Sequence, residues 1–389
     1  MDENYFNKTT CRLNTNSFKW DYRHVYFGDK DVFPLHVADM DFLSAPPILD
    51  AIKQRVEKDS FGYTINSPEH FVHLSKWLKK HHSWTIDPNW CLHSPSAVCS
   101  IALIINSLTE EGDGVIVQTP SYPPFLSTVT SFKRNLLINK LINNGSYFTI
   151  DFDDFEQNCK EGAKLFIFCS PHNPTGRVWT EEELKTLTNI CLKYNVYIIS
   201  DELHADLAYK NYKHIPIAKI SEDVANMTFT LYSPSKTFNL AGLTTSSVII
   251  SNKILREKVA AEFEKFHLYI PNSLGTVAFD AAYAHGEKWY NALMKYLAEN
   301  KKLIEEFFQE YLPHIPISKP EATYLIWINF SCLKLTDKEL KNLLHKKLKL
   351  GLYPGAVYGD GGEGCMRLNF ALQRDKLKEI LQQLKTAFN

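Results

Sequence analysis

Residues 164–201 read KLFIFCSPHNPTGRVWTEEELKTLTNICLKYNVYIISD, and this stretch decides the fold class. Two runs rich in Val, Ile, Phe and Tyr, KLFIFCS at 164–170 and VYIIS at 196–200, flank a helical stretch at 180–194. Strands that are apolar throughout, rather than alternately, are buried on both faces, and a helical crossover between them makes them parallel. The same pattern extends outward. GVIVQ (114–118) precedes it, with a helix expected at 97–109, and TFTLYS (228–233) and SSVIIS (246–251) follow it. The expectation for 90–252 is an α/β fold with a mostly parallel sheet covered by helices on both faces. Further on, amphipathic helices at 287–311, 336–349 and 374–387 alternate with strands near 322–330 and 365–370, which predicts a smaller C-terminal α/β domain. Upstream, residues 1–45 carry few periodic positions and read as an arm. A helix should follow Pro46 and Pro47, with Ile48, Leu49, Ile52 and Val56 on one face. The expected division is therefore an arm at 1–45, a large domain at 46–285 and a small domain at 286–389, with the arm and first helix placed to pack against the small domain.

Composition narrows the class. The 389 residues hold 43 Lys plus Arg against 44 Asp plus Glu, a formal net charge of −1, and 44% hydrophobic residues. That is ordinary globular composition, and it argues against a nucleic-acid binder held by a global basic field. Eight cysteines are scattered without a CxxC pair, several of them in apolar runs such as LFIFC, so reduced thiols are expected rather than a disulfide or zinc framework. The polar start MDENYFNKTT is not that of a signal peptide, and no apolar run approaches the ~18 residues of a membrane span. The expectation is a cytoplasmic protein with no membrane and no nucleic-acid partner.

Open α/β sheets bind ligands beyond the carboxyl ends of their strands. Three successive strand ends here deliver an amide, a carboxylate and an amine: Asn173 in PHNPTG, Asp201 in DELH and Lys236 in SPSK. The intervals are 28 and 35 residues. Each has a bland alternative on its own, Asp201 as a helix N-cap and Lys236 as a solvated surface lysine. Together they match what pyridoxal phosphate requires. It needs a lysine to hold its aldehyde, an acid to keep its pyridine nitrogen protonated, and a donor to its ring oxygen.

The chain resembles fold-type-I pyridoxal-phosphate enzymes of the class I/II aminotransferase superfamily, and within it the MalY/PatB-type cystathionine β-lyase (C–S lyase) group. The motifs that carry the likeness are VADMDF (37–42), APP (45–47), FGYT (61–64), SYPPF (121–125), PHNPTGRVWT (171–180), SDELHADL (200–207), SPSKTFNLAGL (233–243), TYLIWI (323–328) and GDGGEGCMRLNFA (359–371). HNPTG with SPSKTFNLAGL specifies the superfamily. DELHADL and GGEGCMRLNFA favour the lyase group.

By that resemblance Lys236 carries the cofactor, Asp201 partners its pyridine nitrogen and Asn173 donates to its ring oxygen. Tyr122 stacks on the ring, and Ser233 binds the phosphate together with the loop-to-helix residues Ser96, Ala97 and Val98, whose N–H groups suit an anion. The loop departs from the family's usual Gly and Pro, having Ser96 and Cys99. His204 stands where the lyase group has histidine, with a packed core histidine as the plain alternative. Arg367 matches the arginine that forks onto a substrate α-carboxylate. Tyr63 matches a tyrosine that reaches the phosphate of the neighbouring subunit, which implies a homodimer with shared sites.

Other signals carry less. Ser233-x-x-Lys236 fits an SxxK serine-enzyme pair, but no SDN or KTG element follows. GDGGEG at 359–364 spells GxGxxG, yet a strand-like CMRLNF follows where a dinucleotide site needs a helix. His70, His73, His81 and His82 share a helical stretch without cysteine or carboxylate partners in sequence, so no metal site is expected. The runs KWLKKHH and HKKLKL read as solvated helix faces. The expected function is a pyridoxal-phosphate-dependent lyase eliminating a thiol from a sulfur amino acid such as cystathionine. An aminotransferase with the same cofactor is the first alternative, and a regulatory or scaffold protein that keeps the cofactor is the second.

Overall fold

The computed structural model describes residues 4–388; the first three residues of the expected arm and the last residue of the chain lie outside it. Its centre is a seven-stranded sheet. From one edge the strands are Cys91–Ser94, Ser246–Ile249, Thr228–Tyr232, Tyr197–Asp201, Ala163–Cys169, Gly114–Thr119 and Asn135–Lys140. Only Ser246–Ile249 runs antiparallel to its neighbours. The mostly parallel sheet expected from the continuous apolar runs is therefore present. Two runs lengthen by a residue or so, and the edge strands at 91–94 and 135–140 are additions, short or only partly buried and so without a strong apolar signature.

Helices cover both faces. Glu181–Tyr194 starts at a capping box in which Thr180 and Glu183 satisfy each other's backbone N–H groups, and it buries Leu184, Leu187 and Cys191. Ala97–Leu108 starts at Ser96, whose side chain accepts from Cys99 N, and it buries Ile101, Ile104 and Ile105 on the other side of the sheet. Each of these aliphatic side chains contributes about 1.5–3 kcal/mol by leaving water.

The C-terminal part holds the 25-residue helix Glu287–Tyr311, a three-stranded antiparallel sheet ordered Leu325–Asn329, Cys365–Asn369, Tyr353–Pro354, and the final helix Arg374–Phe388. The helix expected at 336–349 is present over 337–347 and changes winding part-way: Asp337–Lys341 is α-helical and Asn342–Lys347 continues as a π-helix. The arm docks here. Phe33–Pro34 pairs in parallel with Leu350–Gly351, and Phe6 and Phe42 pack with Trp289 and Tyr296.

Register aligns the site. Asp201 pairs with Cys169 on one side and Leu231 on the other, so three strands end at one level. The segments that follow, at 170–177, 202–207 and 233–237, leave the sheet side by side. No helix among the described residues is long and apolar enough to cross a membrane.

Candidate active site

A cavity of about 320 Å3 opens at these strand ends. Lys236, Asp201, Asn173, Arg367, His204, Tyr122, Ser233, Ser96, Ala97 and Val98 all line it. Tyr63 does not. It is 97% exposed, in an irregular segment away from the cavity of its own chain.

Lys236 sits in the short helix Pro234–Thr237, one turn beyond its strand, and Nζ donates to the Ala38 carbonyl at 2.8 Å. Burial and the neighbouring Arg367 guanidinium bring its ammonium down to about 8, against the pull of Asp39 and Asp201. A substantial fraction is therefore neutral near physiological pH. Asp201 is buried, and that burial raises its carboxyl to about 6, opposed by the Leu203 N–H at 3.1 Å and by Lys236. A carboxylate so placed favours a cation facing it.

Asn173 is presented by the HNPTG turn, in which Gly176 N donates to His172 O at 2.7 Å. Gly176 has φ +77°, and a Cβ there would lie 2.6 Å from Pro320 Cβ, so only glycine lets the turn close on the 320–322 segment. Asn173 Oδ1 accepts from Arg367 Nη1 at 3.0 Å, which fixes the amide so that Nδ2 is the atom left for a ligand. Arg367 lies on Cys365–Asn369 and also donates through Nη2 to the His36 carbonyl. Its Nε is buried and unpartnered.

The cavity wall around Ser233 is rich in hydroxyls. Ser233 Oγ donates to Thr245 O at 2.7 Å and accepts from Ser235 N at 3.1 Å, so its hydroxyl proton is already engaged. Thr245 Oγ1 is buried without a partner and also lines the cavity, as do Ser235 and Thr244. These hydroxyls were not legible, because nothing in LAGLTTSS marks which of them turns inward.

Behind Lys236 stands a buried carboxylate that sequence reasoning left unassigned. Asp206 Oδ2 accepts from Thr237 Oγ1 at 2.7 Å, while Oδ1 accepts from Trp77 Nε1 at 2.9 Å and from the Tyr232 hydroxyl, with His82 Nε2 at 2.8 Å. Burial opposes ionisation there, but His82, Tyr232 and Trp77 hold the carboxyl down to about 2. Asp206 thus ties the residue next to Lys236 to the helix His70–His82, which carries both Trp77 and His82, and to the strand that ends at Tyr232. Its signal was the last acid of DELHAD. Among the described residues no group of three or more His, Cys, Asp or Glu could hold a metal ion. His70 lies 2.7 Å from Asp280, and His81 stacks on Trp77 at 3.9 Å.

The sequence profile described as aminotransferase class I and II matches residues 30–384. The chain belongs to that family. It is 39% identical over 385 residues to "Cystathionine beta-lyase PatB" of Bacillus subtilis (strain 168), covering 99% of this chain and 100% of the relative. It is 32% identical to "Protein MalY" of Escherichia coli (strain K12), with 96% of each chain covered. Among solved structures, cystalysin from Treponema denticola, which contains pyridoxal 5'-phosphate, superposes with a TM-score of 0.94 at 33% identity over 98% of both chains. The PLP-bound C–S lyase from Staphylococcus hominis superposes with a TM-score of 0.92 at 33% identity, over 98% of this chain and 97% of that one.

The residues present fit that cofactor on three observations. Asp201 is a buried carboxyl that accepts, among the described residues, only the Leu203 N–H, Asn173 Nδ2 is directed by the bond of its Oδ1 to Arg367, and Thr245 Oγ1 is an orphaned donor on the same cavity as the helix start at Ser96–Val98. The resemblance implies that Arg367 forks onto a substrate α-carboxylate. Arg367→Lys keeps the charge but loses the planar fork, and a charge-assisted pair of this kind contributes about 1.5–3 kcal/mol. The Michaelis constant for amino-acid substrates should rise roughly 10- to 100-fold, while cofactor absorbance persists. An unchanged Michaelis constant would remove Arg367 from the substrate site.

Proposed function

We propose that this chain is a pyridoxal-phosphate-dependent C–S β-lyase that cleaves cystathionine or related cysteine S-conjugates to a thiol, pyruvate and ammonia. The observation that carries the reading is the convergence of Lys236, Asp201, Asn173 and Arg367 on one cavity, in a chain 39% identical to a cystathionine β-lyase along its length. When bound, pyridoxal phosphate supplies an aldehyde for an amine and a protonated ring that takes up the electrons left when Cα loses its proton. The remaining work falls to the chain.

Lys236 would hold the aldehyde, and its neutral amine would serve as the base for the Cα proton of a bound substrate. Its lowered basicity suits that task at neutral pH. Asp201 keeps the proton on the ring nitrogen. Asn173, locked by Arg367, would offer Nδ2 to the ring oxygen, and Tyr122 and His204, which line the same cavity, would help hold the ring. Thr245, Ser235 and the N–H groups at 96–98 serve the phosphate, with Ser233 capping the helix that bears Lys236. Arg367 orients the substrate by its α-carboxylate. Cytoplasmic residence belongs to the same reading and is supported by eight cysteines that are all unpaired.

An aminotransferase with the same residues would convert the cofactor to its amine form once and then wait for a keto acid. Mixing the yellow holoenzyme with excess cystathionine, without keto acid, separates the two. A lyase keeps its visible absorbance through many turnovers. Bleaching after a single turnover would favour the aminotransferase.

The same reading includes a homodimer with shared sites. Phe61, Tyr63 and Ile65 are 56%, 97% and 84% exposed on one short segment, an apolar surface that a second copy would cover. Lys236→Ala and Tyr63→Phe subunits, each impaired alone, should regain activity when mixed, because one site of the heterodimer then carries neither defect. If subunit exchange is confirmed by mass and no activity returns, Tyr63 does not act across an interface.

A further inference from the structure

Part of the cavity wall comes from the arm, as Phe18, Tyr26 and His36, with Tyr353 beside them. The His36 ring stacks on Tyr26 at 4.7 Å and lies 6.3 Å from Phe18 and 6.4 Å from Tyr353, centroid to centroid. It is 2% exposed, and neither Nδ1 nor Nε2 has a hydrogen-bond partner. A buried imidazole with no partner for its N–H is costly, and the surrounding rings supply none. The Tyr26 and Tyr353 rings lie 5.9 Å apart, centroid to centroid, and neither hydroxyl is a hydrogen-bond partner of the imidazole. His36 is therefore the polar side chain of this wall still without a task.

The backbone of the same segment locates it. The His36 carbonyl accepts from Arg367 Nη2, and two residues on, the Ala38 carbonyl accepts from Lys236 Nζ at 2.8 Å. A substrate whose α-carboxylate lies on Arg367 and whose Cα–H faces Lys236 has this segment alongside it. Its amine is directed to the cofactor, so its remaining substituent, Cβ with the sulfur, extends toward the arm's aromatic wall.

We propose that His36 is a catalytic residue for the departing sulfur, its imidazole N–H donating a hydrogen bond to that atom as the Cβ–S bond breaks. The role rests on the lyase reading. In the step, the Cα proton goes to the Lys236 amine and the Cβ–S electron pair ends on sulfur. The resulting thiolate is solvated by the His36 N–H, which keeps its proton, and water protonates the thiolate on release. Burial, Lys19 and Arg367 hold the imidazole neutral, down to about 3 against the opposing pull of Asp39, so it offers one N–H and no transferable proton at neutral pH.

The test uses two substrates on the holoenzyme. S-methylcysteine must expel a poor thiolate, whereas β-chloroalanine expels chloride, which needs no donor. His36→Phe keeps the ring stacking and removes the N–H; His36→Asn restores a donor. Pyruvate release from S-methylcysteine should fall at least about 10-fold in His36→Phe and recover in part in His36→Asn, while turnover of β-chloroalanine stays within about 3-fold of the parent. Equal losses on both substrates, or no loss on S-methylcysteine, would overturn the role. Pyruvate from neither substrate with the parent would overturn the elimination reading itself, and this role with it.

Discussion

Lys236→Ala is expected to abolish turnover and to leave the cofactor without a covalent anchor. The lysine lies in a four-residue helix whose neighbour Thr237 is tied to buried Asp206, so truncating Lys236 leaves that anchoring intact and the fold should persist. What disappears is the amine that holds the aldehyde and later serves as base. Losing a group that acts in both roles typically costs about four orders of magnitude or more in rate. The visible band of the lysine-bound cofactor should vanish, and borohydride should no longer fix cofactor to the chain. Reduction to a covalent adduct at another lysine would show that the anchor lies elsewhere.

The second large effect concerns Asp201, and its sign depends on the cofactor. With cofactor bound, Asp201→Asn replaces the anion facing the ring nitrogen by a neutral amide that cannot hold a proton there. Loss of an electrostatic contribution of this kind costs on the order of 100-fold or more in rate, and near-normal turnover would sink the assignment. Without cofactor the same substitution should stabilise the chain. The folded-state carboxyl is raised from 3.8 to about 6, so the native state binds the proton more tightly than the unfolded one. The stability tied to that proton is fully present below the unfolded value and is lost as pH rises through about 6. Above that, the buried charge costs on the order of 3 kcal/mol. The cofactor-free variant should therefore melt higher than the cofactor-free parent at pH 7.5, with the gap closing near pH 4. A gap independent of pH would show that the Asp201 charge is not its cause.

Much of this arrangement was legible because parallel strands buried on both faces leave an uninterrupted apolar signature, and the residue after each run is where an open sheet binds. Asn173, Asp201 and Lys236 follow from that rule, and Arg367 followed from the resemblance of its segment. The parts that were not legible are those made by contacts distant in sequence. The arm looked featureless because its apolar residues follow no helical or strand period, yet Phe6 and Phe42 pack on Trp289 and Tyr296, and its carbonyls at 36 and 38 receive Arg367 and Lys236. Asp206 was quoted within its motif but not valued, since a carboxylate with four buried side-chain partners resembles any other acid in sequence. Ser233 was expected to face a phosphate, and its hydroxyl instead donates to Thr245 O, a choice set by a neighbouring strand. The change of winding within 336–349 also escaped, because one six-residue π segment is too short to leave a period of its own in the sequence.

The most direct measurement is the product balance of the purified holoenzyme with cystathionine and no added keto acid. Free homocysteine, pyruvate and ammonia should appear in a 1:1:1 ratio, over many turnovers per subunit, and all three should be absent with Lys236→Ala. Formation of a sulfur-containing keto acid in place of free thiol, or a yield limited to one turnover per subunit, would contradict C–S elimination at this site.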